Sequence, residues 1–377
     1  MAERYDTIVV GAGPAGSATA CLLAKRGQRV LLVDRARFPR PKPCAEYVSP
    51  GAVGILERLG ALSQGDLGRW LDGMRIIAPS QAACLLTYGS RRAALSVPRL
   101  RLDSVLLGCA TRAGAELREG YGVRGLLRND EQSCVRGVVG ADGARIEAQL
   151  VVGADGLHSV VARDLRLRRP RHWPRRLGLT MHIEGVDWCE RHGQMWVGRH
   201  GYAGVAPLDD DGLVSVGVVS AIPSGHLGDP KHAFWRVVRQ FPQLEHRLAR
   251  GRCASAPRGV GPLATRVRRC AGDGFALVGD AAGFFDPFTG EGIFRALRGA
   301  ELLAAYGPRQ YAAARMRAFR PKEQLTALVQ VFVQRPRLME LAVKRLQRRP
   351  VLARRLADML GDLEPASLDV AWRLLAP

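Results

Sequence analysis

No apolar run in this 377-residue chain reaches the ~18–20 residues that a membrane span requires, so no transmembrane segment is expected. The apolar stretch at the N-terminus is short and leads straight into a glycine turn, which is not the pattern of a secretory leader; a cytoplasmic location is the expectation. The eight cysteines (Cys21, Cys44, Cys84, Cys109, Cys134, Cys189, Cys253 and Cys270) stand singly, with no Cys-x-x-Cys pair. That argues against structural zinc and a disulfide framework, so no metal is expected and most of the thiols read as small buried hydrophobes. Aromatics make up 6% of the residues and no nucleic-acid module is recognisable, so nucleic acid is not an expected partner despite a net charge of +21. Lysine is scarce as well: five of 56 basic residues, the rest arginine, a skew that with abundant Ala and Gly fits GC-rich coding. The excess still favours acidic partners. Internal repeats and low-complexity linkers are absent. What remains, 47% hydrophobic and 24% charged, is a chain of two or three domains with a large core.

The most informative stretch is the first. Thr7-Ile8-Val9-Val10 reads as a buried strand, followed at once by Gly11-Ala12-Gly13-Pro14-Ala15-Gly16. A helical pattern runs from Pro14 to Arg26 and closes at Gly27; a second apolar strand, Arg29 to Val33, ends at Asp34 and Arg35. Strand, glycine turn, helix, strand and acid, in that order, form a dinucleotide-binding βαβ unit. Gly11, Gly13 and Gly16 permit a tight turn and close approach of backbone to a pyrophosphate. The helix N-terminus, with Pro14 in its first turn, offers free amides to that phosphate, and Asp34 can accept from a ribose.

Two further strands end in glycine and acid. Gln149 to Gly153 leads into Ala154-Asp155-Gly156, and Phe275 to Val278 leads into Gly279-Asp280-Ala281-Ala282-Gly283, where the strand is expected to open into a helix. Both read as strands of one parallel sheet. The dinucleotide-binding pieces are therefore placed at 1–70, 98–172 and 266–315. Leu177 to Glu184, Gln194 to Val197, Tyr202 to Pro207 and Leu213 to Val219 read as short strands of an antiparallel substrate-side sheet, assembled from 71–97 and 173–265. Residues 316–377 read as helical, broken at Pro336 and Pro350. Gly259-Val260-Gly261-Pro262-Leu263-Ala264 also scans as a dinucleotide turn, but no apolar strand precedes it.

The three motifs, in this order and spacing, resemble those of the p-hydroxybenzoate hydroxylase and geranylgeranyl reductase superfamily of flavoproteins, over about residues 5–310. The resemblance implies an α/β (α+β) fold: a Rossmann-like FAD-binding domain of the glutathione-reductase type, an inserted antiparallel β-sheet substrate domain and C-terminal helices. It implies non-covalent FAD, with Asp280 at the ribityl hydroxyls and Arg99, in Val97-Pro98-Arg99-Leu100-Arg101-Leu102-Asp103, at the phosphates or ribityl chain. It also implies Val123 at the adenine, and Asp155 and Gly156 as the Asp-Gly motif. In Pro287-Phe288-Thr289-Gly290-Glu291-Gly292-Ile293, a helix from about Ile293 to Tyr306 would turn its N-terminal amides to the flavin. Pro287, Gly290, Gly292 and Ile293 join the cofactor contacts, as do Gly279, Cys44 and Ala45. A second Rossmann fingerprint for NAD(P)H is missing, so NAD(P)H, the expected reductant, would bind transiently in a groove; a separate electron donor is the other possibility.

Pro39-Arg40-Pro41-Lys42-Pro43-Cys44-Ala45-Glu46-Tyr47-Val48-Ser49-Pro50-Gly51 resembles the geranylgeranyl reductase loop that brings a cysteine near the flavin, with Ala45 where glycine is usual. Gly201-Tyr202-Ala203-Gly204-Val205-Ala206-Pro207-Leu208 resembles those enzymes' Gly-Tyr-x-Trp-x-x-Pro strand, with Gly204 at the tryptophan position. The halogenase signature Trp-x-Trp-x-Ile-Pro is missing. Function divides among three readings: an FAD-dependent monooxygenase reduced by NAD(P)H and acting on an aromatic, polyketide-like or other secondary-metabolite substrate, towards which the expectation leans; a geranylgeranyl-reductase-like enzyme that reduces carbon–carbon double bonds with Cys44 as the catalytic proton donor; and a non-catalytic flavin-binding protein. Cys44 also has a plain reading as a small residue at a loop bend.

Arginine is dense in two places. Leu165 to Arg176 holds six arginines and no acid; Arg335 to Arg355 holds eight basic residues against Glu340 alone. In the second, Leu338, Leu341, Ala342, Leu346, Leu352, Leu356, Met359 and Leu360 recur at near-helical spacing, which reads first as a lid packed on the substrate domain. The sharper alternative is a docking surface for an acidic or carrier-bound substrate or anionic lipid, a peripheral membrane contact included.

Overall fold

In the computed structural model, which describes residues 3–89, 93–129, 131, 133–170, 173, 175–222, 228–370 and 373, the strand Arg4–Val10 and the helix Pro14–Ala24 form as their patterns require. Gly27, at φ +81°, ends the turn that returns the chain to the strand Val30–Asp34, every residue of which is buried. Apolar continuity rather than alternation is what a sheet covered on both faces demands. Five strands run parallel in the order Phe275–Leu277, Arg145–Gly153, Arg4–Val10, Val30–Asp34 and Glu116–Glu119. Val123–Arg128 and Val135–Gly140 extend Arg145–Gly153 as antiparallel partners.

The register decides where the ligand site lies. Val10 pairs with Val33 on one side and with Gly153 on the other, and Gly153 pairs with Leu277. All three glycine-bearing motifs therefore leave the sheet at one carboxyl edge, although more than a hundred positions separate each from the next.

The second sheet runs Arg252–Cys253, Arg176–Glu184, Val214–Ala221, Gly201–Pro207, His192–Val197, Gly73–Ile77 and Ala83–Thr87, with Arg258–Val260 also against Arg176–Glu184. The four strands expected here form within a residue or two of their sequence bounds. The sheet is not wholly antiparallel: His192–Val197 lies parallel to Gly73–Ile77. The two belong to separate excursions of the chain, so no hairpin imposes an antiparallel register on them. Arg258–Val260, at the false dinucleotide turn, is only an edge strand, and no helix follows it.

One expectation needs correction. Phe275–Leu277 does not open directly into a helix: a 3₁₀ turn, Gly279–Ala282, and a second, Pro287–Thr289, intervene before the helix Gly292–Val333 starts. Gly279, Gly283 and Gly290 all have positive φ, which an α-helix cannot carry. The long helix is bent at Gly307 (φ 64°, ψ 170°), where the sequence placed its end before Pro308. Helices Pro336–Arg348 and Pro350–Leu360 each start on the expected proline. Their apolar faces (Met339, Val343, Leu346, Leu356 and Met359) are buried in one cluster with Ile76, Leu86, Met195 and Tyr202 of the second sheet, as expected of a lid. No helix among the described residues is long and apolar enough to cross a membrane.

Candidate functional site

The glycines of the first motif have unequal jobs. A Cβ on Gly11 (φ +99°) would lie 2.6 Å from the Ala154 carbonyl oxygen, and one on Gly16 would lie 1.7 Å from that of Gly11. These two let the turn, the helix and the neighbouring strand end close on each other. A Cβ on Gly13 would meet only Arg40 Nη2 at 3.4 Å and Arg99 Nη2 at 3.9 Å. Gly13 therefore faces a cationic space. The helix beginning at Pro14 has no side-chain cap, so the amides of Ala15 and Gly16 are left for a ligand.

That space is built from distant residues. Arg99, at the start of the helix Arg99–Arg112, is buried and gives a bidentate pair to Asp103, Nε to Oδ1 and Nη2 to Oδ2, both at 2.8 Å. Burial works against its charge, but Asp103 and then Cys44 more than offset this and raise its pKa. Arg40 Nη1 lies 3.3 Å from Asp103 Oδ2 without forming a hydrogen bond, and Nη2 lies 3.8 Å from Asp34. The Lys42 ammonium is pushed below its ordinary pKa by burial and by repulsion from Arg40, Arg99 and Arg35, with only Asp280 opposing. Arg35 itself is exposed at the strand end. The charge on Lys42 is thus disfavoured by three neighbouring arginines near an uncapped helix N-terminus, an electrostatic setting that an anion such as a pyrophosphate would relieve.

Asp34 does more than expected of it. Its Oδ2 accepts from the Ala12 amide at 2.8 Å and Oδ1 from the Ala36 amide at 2.9 Å, so it fixes the glycine turn while each oxygen keeps a lone pair for a ribose hydroxyl. Asp155 is divided in the same way. Oδ2 caps the helix Val160–Asp164 through the Val160 amide at 2.6 Å, whereas Oδ1 is buried without a partner, and burial raises the carboxyl pKa. Gly156 follows at φ +79°. Val123 starts its strand beside the Tyr121 amide, which donates to the Asp34 carbonyl at 2.8 Å. Gly279 (φ +60°) would bring a Cβ to 2.8 Å from that of Ala15, so the first and third motifs touch. Asp280 is partly accessible, is pushed up by burial and is pulled back by Lys42, Arg99 and Arg295.

Pro287, Gly290, Gly292 and Ile293 form the next wall. The Gly290 Cα stands against the Tyr47 ring, where a Cβ would sit 2.7 Å from it, and Ile293 is buried. Beneath this loop lies a polar network that sequence reasoning missed. Asp286, 1% exposed, accepts from Tyr202 Oη (2.6 Å), Gln330 Nε2 (2.8 Å), Arg176 Nη1 (3.1 Å) and the Phe288 amide (3.0 Å).

Cys44 and Ala45 lie between the two sheets. The Cys44 Sγ accepts from the Glu46 amide at 3.3 Å; burial raises the thiol pKa, Arg99 lowers it and the Glu46 charge raises it again. Ala45 borders an apolar cavity, partly open to solvent, that also touches Tyr47, Met195, Gly204, Phe288 and Gly290. The Tyr47 and Tyr88 hydroxyls hydrogen-bond to each other there, and burial keeps both phenols neutral. A second apolar cavity lies under the C-terminal helices and shares Ile76, Phe288 and Leu360 with the first. Gly204 lies on the wall of the first cavity, where a Cβ would stand 3.0 Å from Met195 Sδ.

Sequence reasoning did not single out Arg40 and Lys42, which line the cationic space at Gly13, nor Glu46, Tyr47, Tyr88 and His182. The first pair left a signal. Prolines at 39, 41 and 43 hold the chain extended, and Arg40 and Lys42 alternate with them. No group of three or more His, Cys, Asp or Glu residues suited to a metal occurs among the described residues.

A family model described as FAD binding domain matches residues 4–305. The chain is 31% identical over 341 residues to a menaquinone reductase of Mycolicibacterium smegmatis, covering 83% of this chain and 80% of that one. It is 30% identical over 309 residues to a digeranylgeranylglycerophospholipid reductase of Methanothrix thermoacetophila, covering 78% and 75%. The solved structure of the flavin-dependent brominase Bmp2 superposes with a TM-score of 0.82 at 22% identity, covering 95% of this chain and 93% of that one, and shares the fold.

Proposed function

The chain belongs to the FAD-binding domain family and is an FAD-dependent oxidoreductase; from that premise we propose that it is a reductase, saturating carbon–carbon double bonds in a long, apolar, isoprenoid-type substrate. The observation that carries this reading is the pair of adjoining apolar pockets, which share Ile76, Phe288 and Leu360 and run from Ala45 and Gly290 to beneath the C-terminal helices. A prenyl chain fills such a space, and its burial is favourable by about 0.8 kcal/mol per methylene. A small hydroxylatable ring needs only the first cavity. The relatives named for menaquinone and for digeranylgeranylglycerophospholipid, both polyprenyl compounds, support reduction over oxygenation.

The residues present fit FAD. Arg40, Lys42, Arg99 and the Ala15 and Gly16 amides would hold the pyrophosphate, Asp34 and Arg35 the adenosine end beside Val123, and Asp280 the ribityl hydroxyls. Asp155, Gly156 and Gly279 would line the same cleft. Gly292 and Ile293, at the amide end of the long helix, would face the flavin, with Pro287 and Gly290 shaping the approach. Bound and reduced, the flavin supplies a hydride equivalent. Cys44 is positioned to supply the accompanying proton: its pKa is raised, so the thiol is protonated at neutral pH, and the Arg99 guanidinium stabilises the thiolate that remains. The apolar lining beside Ala45 disfavours water at the reacting carbons. NAD(P)H is the proposed reductant.

The test is an anaerobic incubation of holoprotein, dithionite and a short-chain menaquinone in detergent. A gain of two hydrogens on the side chain by mass spectrometry is expected. Product formed only with oxygen, and carrying an added oxygen atom, would return the monooxygenase reading to first place.

A further inference from the structure

We propose that the outward face of the helix Pro336–Arg348 docks on the surface of an anionic lipid bilayer, from which the apolar substrate enters the pocket beneath that helix. The docking stands on the surface itself; the entry route rests on the isoprenoid reading above. Arg337, Leu341, Lys344 and Arg348 are exposed. At about 3.6 residues per turn, these four positions fall within an arc of about 60°. Met339, Ala342, Val343 and Leu346, on the opposite side, are buried. One face of the helix belongs to the protein and the other to whatever lies outside it.

The outward face is cationic and uncompensated. Arg337, Lys344 and Arg348 have no acidic partner within ion-pair distance among the described residues. Glu340, the one acid of the helix, is engaged elsewhere: its carboxylate accepts from the Ser80 amide at 2.6 Å and from the Ser80 hydroxyl. Two apolar side chains accompany the cations. Leu341, 38% exposed, shares their arc, and Val351, in the first turn of the helix Pro350–Leu360, is 83% exposed. Cations beside short apolar tips suit a bilayer surface, where the charged groups meet lipid phosphates and the tips reach the acyl boundary. A soluble acidic partner would use the charges and leave the tips in water.

The inward face connects this surface to the substrate. Met339, Ala342, Val343 and Leu346 line the second apolar pocket, which shares Ile76, Phe288 and Leu360 with the pocket at Ala45. A polyprenyl chain partitions into lipid, and a helix seated on the bilayer brings its pocket to that store, so the chain passes between two apolar media. Contact of this kind is peripheral and mostly electrostatic. Each basic side chain close to an anionic surface strengthens it roughly five-fold, and three together on the order of a hundred-fold.

Sedimentation of the flavin-loaded full chain with vesicles free of substrate tests the docking. Vesicles of phosphatidylcholine with added phosphatidylglycerol should be bound, phosphatidylcholine alone should not, and added salt should weaken the binding. The triple variant Arg337→Gln/Lys344→Gln/Arg348→Gln should lose on the order of a hundred-fold in affinity with its flavin absorbance unchanged. Leu341→Ser/Val351→Ser should weaken vesicle binding several-fold and leave binding to heparin, a soluble polyanion, as it was. Equal binding to both vesicle types, or wild-type vesicle affinity in either variant, overturns the proposal. Heparin bound through the three cations while vesicles are not would make the face a site for soluble acidic partners, and overturns it too. The entry route has its own readout. With a short-chain menaquinone carried in the anionic vesicles, the dithionite-reduced triple variant should saturate the side chain at least ten-fold more slowly than the wild type, and match it in detergent. Equal rates in vesicles overturn the route. No side-chain reduction by the wild type in either medium overturns the reductase reading, and the docking is then decided by sedimentation alone.

Discussion

Arg99 is a hinge between stability and cofactor binding, and the two can be separated. The side chain pairs with Asp103, which is fully buried, through two 2.8 Å bonds. Arg99→Ala leaves that carboxylate with only Arg40 Nη1 at 3.3 Å. Breaking a buried pair from one side costs about 3–5 kcal/mol; with Arg40 in partial compensation the expected loss is about 3 kcal/mol. The paired variant Arg99→Met/Asp103→Leu removes both charges and should recover most of it, since buried pairs replaced by apolar residues of similar volume are often neutral. FAD affinity should not recover. A guanidinium bond to phosphate is worth about 1.5–3 kcal/mol, a ten- to hundred-fold change in Kd. The assay is urea unfolding of the flavin-free variants alongside fluorescence titration with FAD. If the paired variant folds stably and binds FAD as the wild type does, Arg99 is a structural residue and the phosphate assignment around Gly13 fails.

Three further outcomes follow from the same geometry. The Lys42 pKa is lowered in the folded flavin-free chain, so its ammonium costs stability below that folded value, and the cost disappears as pH rises through the unfolded one; a bound pyrophosphate should reverse the shift, giving proton uptake on FAD binding at pH between the lowered and the ordinary lysine value, measurable by calorimetry in buffers of different ionisation enthalpy and absent in Lys42→Met. Gly204→Trp should close the first cavity beside Met195, raising KM for a prenylated substrate by about ten-fold, or ~1.4 kcal/mol, with FAD absorbance unchanged; an unchanged KM would mean that the substrate lies elsewhere. Asp286→Ala removes the counter-charge of the buried Arg176 guanidinium, which keeps only Gln330 Oε1 at 2.7 Å, and leaves Tyr202 Oη and Gln330 Nε2 without their acceptor; it should destabilise the protein by about 3 kcal/mol in urea unfolding, and a loss under about 1 kcal/mol would show that the network is solvated.

The amino-acid sequence by itself determined the local elements and the class of cofactor. Glycine spacing, apolar continuity and a terminal acid are short-range constraints, so Gly11 to Gly16, the strand Val30–Asp34 and the proline-started helices at 336 and 350 were readable without a partner in view. Cys44 and Ala45 were also readable, but only through resemblance; nothing in their own spacing says that a second sheet lies above them. The tertiary structure alone decided the rest. Parallel register brought Val10, Val33, Gly153 and Leu277 level, and residues as far apart in sequence as Arg40 and Asp280 thereby came to flank Lys42. The parallel pairing of Gly73–Ile77 with His192–Val197 could not be read because it joins two excursions of the chain with no turn between them. The same holds for Glu46 and His182, 136 positions apart: a contact made by closing a long loop leaves no periodicity behind, because its energy is gained only after the loop-closure entropy has been overcome by the whole fold.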